Sequence, residues 1–358
     1  MRALFSGGGS GGHVFPGLAV AGVLAERGWK VDWAGSANGL EARLVAERGL
    51  PFHALPSRPV LGQGLVGKAR AALTIGAAAV KGRQLVRRLD ARVVVGTGGY
   101  ASAPAVVGAR LAARPALLIE PNAAPGIANR FLSRFAAGAA VAWEETAQQL
   151  RCPVWPTGVP VRRDFFAGDG ELPQSASGGA PHVLVLGGSQ GARQLNEILP
   201  SAFAGLGING LRITHQTGTR HLDEARAAYA TTDLDTNVVP FIDDMANAVQ
   251  SAHLVVSRAG AITLAELCAA GRPSLLLPLR IAAGHQVDNA RRMVNAGAAA
   301  LWEDGDDLGE ILHSLLSDRE RLQAMAHAAR TLARENAAAD IADKVAEEVE
   351  KKVGGRDV

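Results

Sequence analysis

The sequence predicts an α/β protein made of two doubly wound parallel-sheet domains, and three observations carry that prediction. Short apolar runs of strand character alternate with runs of helical period almost throughout the 358 residues. That alternation is the mark of parallel strands covered by helices on both faces. It occurs twice, on either side of a proline-rich stretch. In each half the first strand runs into a glycine loop and then a helix: Ser6-Gly7-Gly8-Gly9-Ser10-Gly11-Gly12-His13-Val14-Phe15-Pro16 in one, Gly187-Gly188-Ser189-Gln190-Gly191-Ala192-Arg193 in the other. Glycines let a ligand lie against bare backbone, and the helix behind turns its unpaired N–H groups toward it. Each half therefore reads as a Rossmann-like unit that binds an anion.

The first half carries expected strands at residues 3–6, 30–34, 92–95, 116–119 and 138–142. After the first glycine loop, Val14, Leu18, Ala21, Val23 and Leu24 form one apolar helical stripe. Residues 153–181, with Pro153, Pro156, Pro160, Pro173 and Pro181, read as a connection. Strands are expected again at 182–186, 212–215, 237–240, 253–256, 274–277 and 299–302, and residues 318–352 read as two helices. A chain of this length exceeds one ordinary core. The expected division is an N-terminal domain at 1–160, a linker at 161–181 and a second domain at 182–336, with the C-terminal helix 337–358 returning to the first domain.

Composition narrows the classes. With 48% hydrophobic and 20% charged residues the chain is globular rather than disordered. Aromatics at 4% and a net charge of +3 do not describe a nucleic-acid binder. Cys152 and Cys268 lie far apart and form no metal-ligand spacing; Cys268, in an apolar helix, reads as a packing residue. No metal site is expected. The start of the chain is too short in apolar residues for a signal peptide, and the weakly polar run from Ala71 to Val80 is too short to cross a bilayer, so a cytoplasmic protein is expected.

Residues 58–92 hold eight cations, Arg58, Lys68, Arg70, Lys81, Arg83, Arg87, Arg88 and Arg92, against one acid, Asp90. Leu65, Val66, Leu73 and Ile75 are interleaved with them. Such a helix suits an anionic membrane face, and it also suits an ordinary basic solvated surface.

Two familiar motifs are decoys here. Gly7, Gly9 and Gly12 fit the dinucleotide fingerprint, with Asp32 about twenty residues on, yet Asp32 falls inside the expected strand. The same glycines lack the Lys and Ser/Thr of a phosphate-binding P-loop, because His13 and Val14 follow. His13 begins a helix, whose positive end disfavours imidazolium and keeps the ring able to take a proton. General base and helix cap are both open to it. In the second half, Ser257-Arg258-Ala259-Gly260-Ala261-Ile262-Thr263 offers N–H groups and hydroxyls to a phosphate. Glu266, three residues after Thr263, is either an acceptor for ribose hydroxyls or a first-turn acid. Gly284-His285-Gln286-Val287-Asp288-Asn289 suits sugar hydroxyls or a polar helix start, and Asp243-Asp244 reads as a helix cap.

Together these stretches, with Gly98-Gly99-Tyr100-Ala101-Ser102 and Phe241-Ile242-Asp243-Asp244-Met245, resemble the MurG family of bacterial N-acetylglucosaminyltransferases. The resemblance implies a GT-B glycosyltransferase, its two domains facing a cleft, with an inverting reaction and no cofactor. It implies transfer from UDP-N-acetylglucosamine to the muramyl 4-hydroxyl of lipid I, giving lipid II for peptidoglycan. By the same resemblance His13 is the base, and Gly12, His13, Gly98, Gly99 and Tyr100 meet the acceptor. Ser189, Gln190 and Gly191 meet the diphosphate, Arg162 and Ile242 the uracil, and Glu266 the ribose, with Met245 elsewhere on the donor. Ala261, His285, Gln286 and Asn289 surround the sugar, with Ser10, Gly11, Gly12, Asn122 and Arg258 also on the donor side. Leu65, Val66, Lys68, Leu73, Ile75, Lys81 and Arg83 form a membrane face, implying a peripheral protein at the cytoplasmic side of the inner membrane, working beside other wall-synthesis and division proteins. The sequence departs from the family pattern at Val60-Leu61-Gly62-Gln63-Gly64, which lacks the usual cations, and at Pro121, Val159 and His285. Competing expectations are a membrane-docked scaffold without catalysis and an NAD-dependent oxidoreductase resting on Gly7, Gly9, Gly12 and Asp32.

Overall fold

The structure, a computed structural model, describes residues 1–57, 65–174, 181–188, 191–279 and 285–354, with backbone alone over 65–75. The chain forms two compact units, Met1–Val161 with Asn336–Val358, and Arg162–Glu335.

The strands of the first unit are β1 (Arg2–Ser6), β2 (Lys30–Gly35), β3 (Phe52–Ala54), β4 (Val93–Gly96), β5 (Ala116–Glu120), β6 (Gly138–Val141) and β7 (Val154–Trp155). Its helices are α1 (Gly11–Glu26), α2 (Leu40–Ala46), α3 (Leu65–Arg88), α4 (Ala103–Leu111) and α5 (Ile127–Leu132). The sheet is parallel, in the order β3-β2-β1-β4-β5-β6-β7. From β1 the chain winds outward through β2 and β3, then returns to lay β4 against the other side of β1. The loops leaving β1 and β4 therefore diverge at the carboxyl end, where open α/β sheets take their ligands.

The second unit repeats the plan. Its strands are β8 (His182–Leu186), β9 (Arg212–Gln216), β10 (Asp235–Val239), β11 (Leu254–Ser257), β12 (Ser274–Leu276) and β13 (Ala299–Leu301). The helices are α6 (Arg193–Ala204), α7 (Leu222–Ala230), α8 (Met245–Gln250), α9 (Ala261–Ala270), α10 (His285–Asn295), α11 (Leu308–Leu316) and α12 (Arg319–Leu332). Its parallel order β10-β9-β8-β11-β12-β13 puts the switch point between β8 and β11. The last helix, α13 (Ala337–Gly354), belongs to the first unit. Ile341, Val345 and Val349, spaced one turn apart, are buried with Val14, Leu18 and Leu24 in one core. Arg27 and Asp343 close the edge of that contact at 2.6 Å.

Two short edge strands, β3 and β7, escape the sequence reading, being only 3 and 2 residues long. The proline-rich connection was expected from residue 153, but Val154 and Trp155 pair with Ala139 and Ala140 of β6. An edge strand tolerates a proline at its start: Pro153 has no N–H to give, and its carbonyl still accepts from Ala139 N–H at 2.9 Å. Within the stretch expected as linker, Arg163–Phe166 form a 3-10 turn with Phe165 wholly buried. Cys268 is buried and its thiol lies 3.6 Å from the Met293 sulfur, as a packing residue. Asp244 caps α8 by accepting from the Asn247 N–H at 3.1 Å.

Candidate active site

In the first unit the glycine loop after β1 lies beside the Thr97–Tyr100 turn after β4. Ser10 is the N-cap residue of α1, and Gly11, Gly12 and His13 form its first turn. The His13 ring packs against bare backbone. A Cβ on Gly98 would stand 2.9 Å from His13 Cδ2, and one on Gly99 only 2.4 Å from the Gly8 carbonyl oxygen. Both glycines have positive φ, +97° and +72°, which a side chain would strain. Tyr100 begins the next short turn, whose Ser102 hydroxyl donates to Gly99 O at 2.8 Å.

His13 Nδ1 lies 3.0 Å from Gly8 O and 3.2 Å from Ser10 Oγ. A carbonyl only accepts, so the proton of the neutral ring belongs on Nδ1. Nε2 then carries the lone pair. The loop itself is pinned by Trp33 Nε1, donating to Gly7 O at 3.1 Å, and by Gly9 N–H, donating to Glu41 at 3.1 Å.

Asn122 follows β5 on a turn organised by Glu120, a buried carboxylate. Glu120 Oε1 accepts from the main-chain N–H and side-chain amide of Asn122 at 3.0 and 2.9 Å. Oε2 accepts from Gly126 N–H at 2.9 Å and Asn129 Nδ2 at 3.0 Å. Asp32, the residue behind the NAD expectation, sits inside β2 with His53 Nε2 at 2.8 Å and Arg2 Nε at 3.6 Å. It is 5% exposed and committed to those partners, so it is not poised as a ribose acceptor.

In the second unit the corresponding loops leave β8, β11 and β12. Ser189 and Gln190 lie outside the described residues. Gly191 at φ +76° approaches Thr217 so closely that a Cβ would stand 2.1 Å from its carbonyl oxygen. Arg258 binds the loops together, donating to Leu277 O at 2.7 Å and Gln194 Oε1 at 3.0 Å. Asn289 Nδ2 donates to Ala259 O at 3.1 Å, and Gln286 Oε1 accepts from Leu279 N–H at 2.9 Å. His285 opens α10 with a buried Nδ1 that has no partner among the described residues. Ala261 is the first residue of α9, while Ile242 and Met245 flank the turn into α8.

Glu266 lies on α9 and is held up to about 7 by burial, an effect that the positive Arg162 opposes. The structure thus brings Glu266 and Arg162 into electrostatic reach. Arg162 also stacks its guanidinium 5.2 Å over the Phe165 ring, which fixes a long side chain at the start of the unit.

Leu65, Val66, Lys68, Leu73 and Ile75 belong to the part of α3 whose side chains lie outside the described residues, as do Val60–Gly64 altogether. Lys81 is exposed beside Val80, whereas Arg83 is half-buried with its Nε covered. Sequence reading passed over α5. Ile127, Arg130, Phe131 and Arg134 are all exposed at positions i, i+3, i+4 and i+7, with Arg134 5.5 Å over the Phe131 ring. The i, i+4 apolar pair was visible, but its exposure was not. No helix among the described residues is long and apolar enough to cross a membrane.

Two parallel-sheet domains, each presenting a glycine loop at its switch point, define a GT-B glycosyltransferase, and comparison with known proteins agrees. Residues 3–141 match the glycosyltransferase family 28 N-terminal domain, and 182–345 its C-terminal domain. The chain belongs to glycosyltransferase family 28, in its MurG branch. It is 42% identical to the UDP-N-acetylglucosamine–N-acetylmuramyl-(pentapeptide) pyrophosphoryl-undecaprenol N-acetylglucosamine transferase of Xanthomonas axonopodis pv. citri, over 95% of this chain and 80% of that one. The same-named protein of Sorangium cellulosum is 42% identical over 96% and 87%. Among solved structures, Acinetobacter baumannii MurG matches with a TM-score of 0.81 at 33% identity, covering 97% of this chain and 99% of that one. A Listeria monocytogenes protein described as a putative UDP-N-acetylglucosamine 2-epimerase shares the fold, with a TM-score of 0.70 at 13% identity and coverage of 98% and 97%.

Proposed function

We propose that this chain transfers N-acetylglucosamine from UDP-N-acetylglucosamine to the muramyl 4-hydroxyl of lipid I. The observation that carries the reading is the His13 ring, bonded through Nδ1 to a carbonyl so that Nε2 can accept a proton. Residues 1–160 with the C-terminal helix take the acceptor, and residues 182–336 take the nucleotide sugar.

In one inverting displacement the acceptor 4-hydroxyl oxygen attacks the anomeric carbon. Its proton passes to His13 Nε2. The bond from that carbon to the diphosphate oxygen breaks, and the electron pair leaves with UDP. Main-chain N–H groups of Gly188 and the start of α9 stabilise the departing charge, the Gly187 and Gly191 N–H groups being spent on Gln216 O and Gly188 O. Glu266, as carboxylate, accepts the ribose hydroxyls. Arg258 and Asn289 act one layer behind by tying the loops to each other, which fits their hydrogen bonds to Gln194 and Ala259.

The acceptor is lipid-linked, so the protein must work at a membrane surface. Exposed Val80 and Lys81 on α3, with Ile127, Arg130 and Phe131 on α5 and Arg134 in the turn after it, support a face that sets apolar side chains into an interface and cations against anionic headgroups. We assign that face to the cytoplasmic side of the membrane.

The test is transfer of radiolabelled N-acetylglucosamine from its UDP donor to a short-chain lipid I analogue, with UDP-glucose as competitor. Labelled disaccharide, undiminished by UDP-glucose, is expected. Absence of product while the donor still binds overturns the assignment.

A further inference from the structure

We propose that Glu41 is a positioning residue for His13, acting through the peptide unit that joins Gly8 to Gly9. The proposal rests on the reading of His13 as base.

Glu41, on α2, is wholly buried. Its Oε2 accepts from Gly9 N–H at 3.1 Å and its Oε1 from Ser36 N–H at 2.9 Å. The chain keeps this space clear with three glycines. A Cβ on Gly8 would stand 2.0 Å from the carboxyl carbon, one on Gly39 2.3 Å from either oxygen, and one on Gly35 2.7 Å from Cγ. Burying a carboxylate is costly unless donors surround it. A cradle of this kind, beside a catalytic loop, is more than a packing solution.

The geometry shows what it holds. Gly9 N–H and Gly8 C=O belong to one planar trans peptide, so they point in opposite directions. Glu41 accepts from the N–H end, and His13 Nδ1–H donates to the C=O end at 3.0 Å. Carboxylate, peptide and imidazole form one hydrogen-bonded line, in which each bond polarises the next. The negative charge at its far end fixes the peptide's orientation, with Gly9 at φ +88°. It thereby keeps the proton on Nδ1 and the lone pair on Nε2. It also favours the imidazolium formed when the acceptor proton arrives. A carboxylate bonded directly to imidazole does the same work in Ser-His-Asp enzymes; here a peptide lies between.

The test compares the unaltered protein with Glu41→Gln, whose amide cannot accept from both N–H groups. In the unaltered protein, nitrogen NMR of labelled histidine is expected to show neutral His13 with its proton on Nδ1. In Glu41→Gln that preference is expected to weaken and transfer to a lipid I analogue to fall on the order of tenfold or more, with UDP affinity held and the assay run below the lowered melting temperature. Adding Glu41→Gln to His13→Ala is expected to change nothing further. A proton on Nε2 in the unaltered protein overturns the proposal, as does a full additional loss in the double variant. If the unaltered protein transfers no sugar, the functional reading fails while the NMR result still decides the link. The same NMR result decides it should Glu41→Gln not fold.

Discussion

His13 Nδ1 and Gly8 O, five residues apart in the chain, meet at 3.0 Å across the mouth of the first glycine loop. That contact puts the proton on Nδ1 and the lone pair on Nε2, because a carbonyl oxygen can face only an N–H. His13→Ala should lower turnover by roughly a hundredfold or more, the usual scale for loss of a general base. UDP affinity should be unchanged. Steady-state transfer together with calorimetric UDP titration checks both, and unaltered turnover would remove His13 from the mechanism.

The glycine turn beneath the ring makes a separate prediction. In Gly99→Ala a Cβ would stand 2.4 Å from Gly8 O, at a φ of +72°. Strain of this kind costs about 1–3 kcal/mol. The variant should unfold at lower urea concentration and lose transfer activity, because the displaced carbonyl is the His13 partner. Full activity at unchanged stability would contradict the slot geometry.

Glu266 gives a pH dependence with a definite sign. Burial raises it from an ordinary value of 4.5 to about 7, so the free protein holds it protonated below that range. The carboxylate accepts ribose hydroxyls more strongly than the protonated acid, whose O–H is a donor. UDP affinity should therefore fall as pH drops through about 7, and Glu266→Gln should bind UDP weakly with that dependence removed. Stability runs the other way. A raised carboxyl contributes stability that is fully present below 4.5 and lost as pH rises through about 7. Relative to the unaltered protein, Glu266→Gln should then gain melting temperature at pH 8 but not at pH 4.

Glu120 is the buried acceptor for four N–H donors around Asn122. Removing it in Glu120→Ala takes a charged acceptor away from those donors, although Asn129 Nδ2 keeps Ile119 O at 3.0 Å, at a cost of about 3 kcal/mol or more. Denaturant unfolding measures this, and a cost below 1 kcal/mol would show that water replaces the carboxylate without loss.

The proposed membrane face predicts salt-sensitive binding to anionic vesicles. Reversing Lys81 and Arg134 to Glu should weaken it at least tenfold, since each cation near such a surface contributes on the order of 1 kcal/mol. Phe131→Ala should weaken binding in high salt as well, where the apolar contact dominates. Vesicle sedimentation distinguishes these effects, and undiminished binding of the reversed variant would mark an ordinary solvated surface.

Local chemistry alone determined a large part of this protein. Strand and helix periods are written residue by residue, so the alternation in both halves and the strand over His182–Leu186 could be read directly. Both glycine loops were legible for the same reason, since close backbone approach demands glycine in the sequence itself. Only the tertiary structure decided what depends on meetings between distant residues. β3 and β7 exist because neighbouring strands supply their hydrogen bonds, not because 3 or 2 residues have strand character of their own. Asp32 falls inside an expected strand and so reads as a decoy already in the sequence, but that His53 and Arg2 occupy it is a tertiary fact. Glu41, 28 positions from His13, carries no local signal; three glycines and one shared peptide give it a role, and those come together only when β1, β2 and α2 have packed. A carboxylate's function follows from the donors that surround it, and folding chooses those donors.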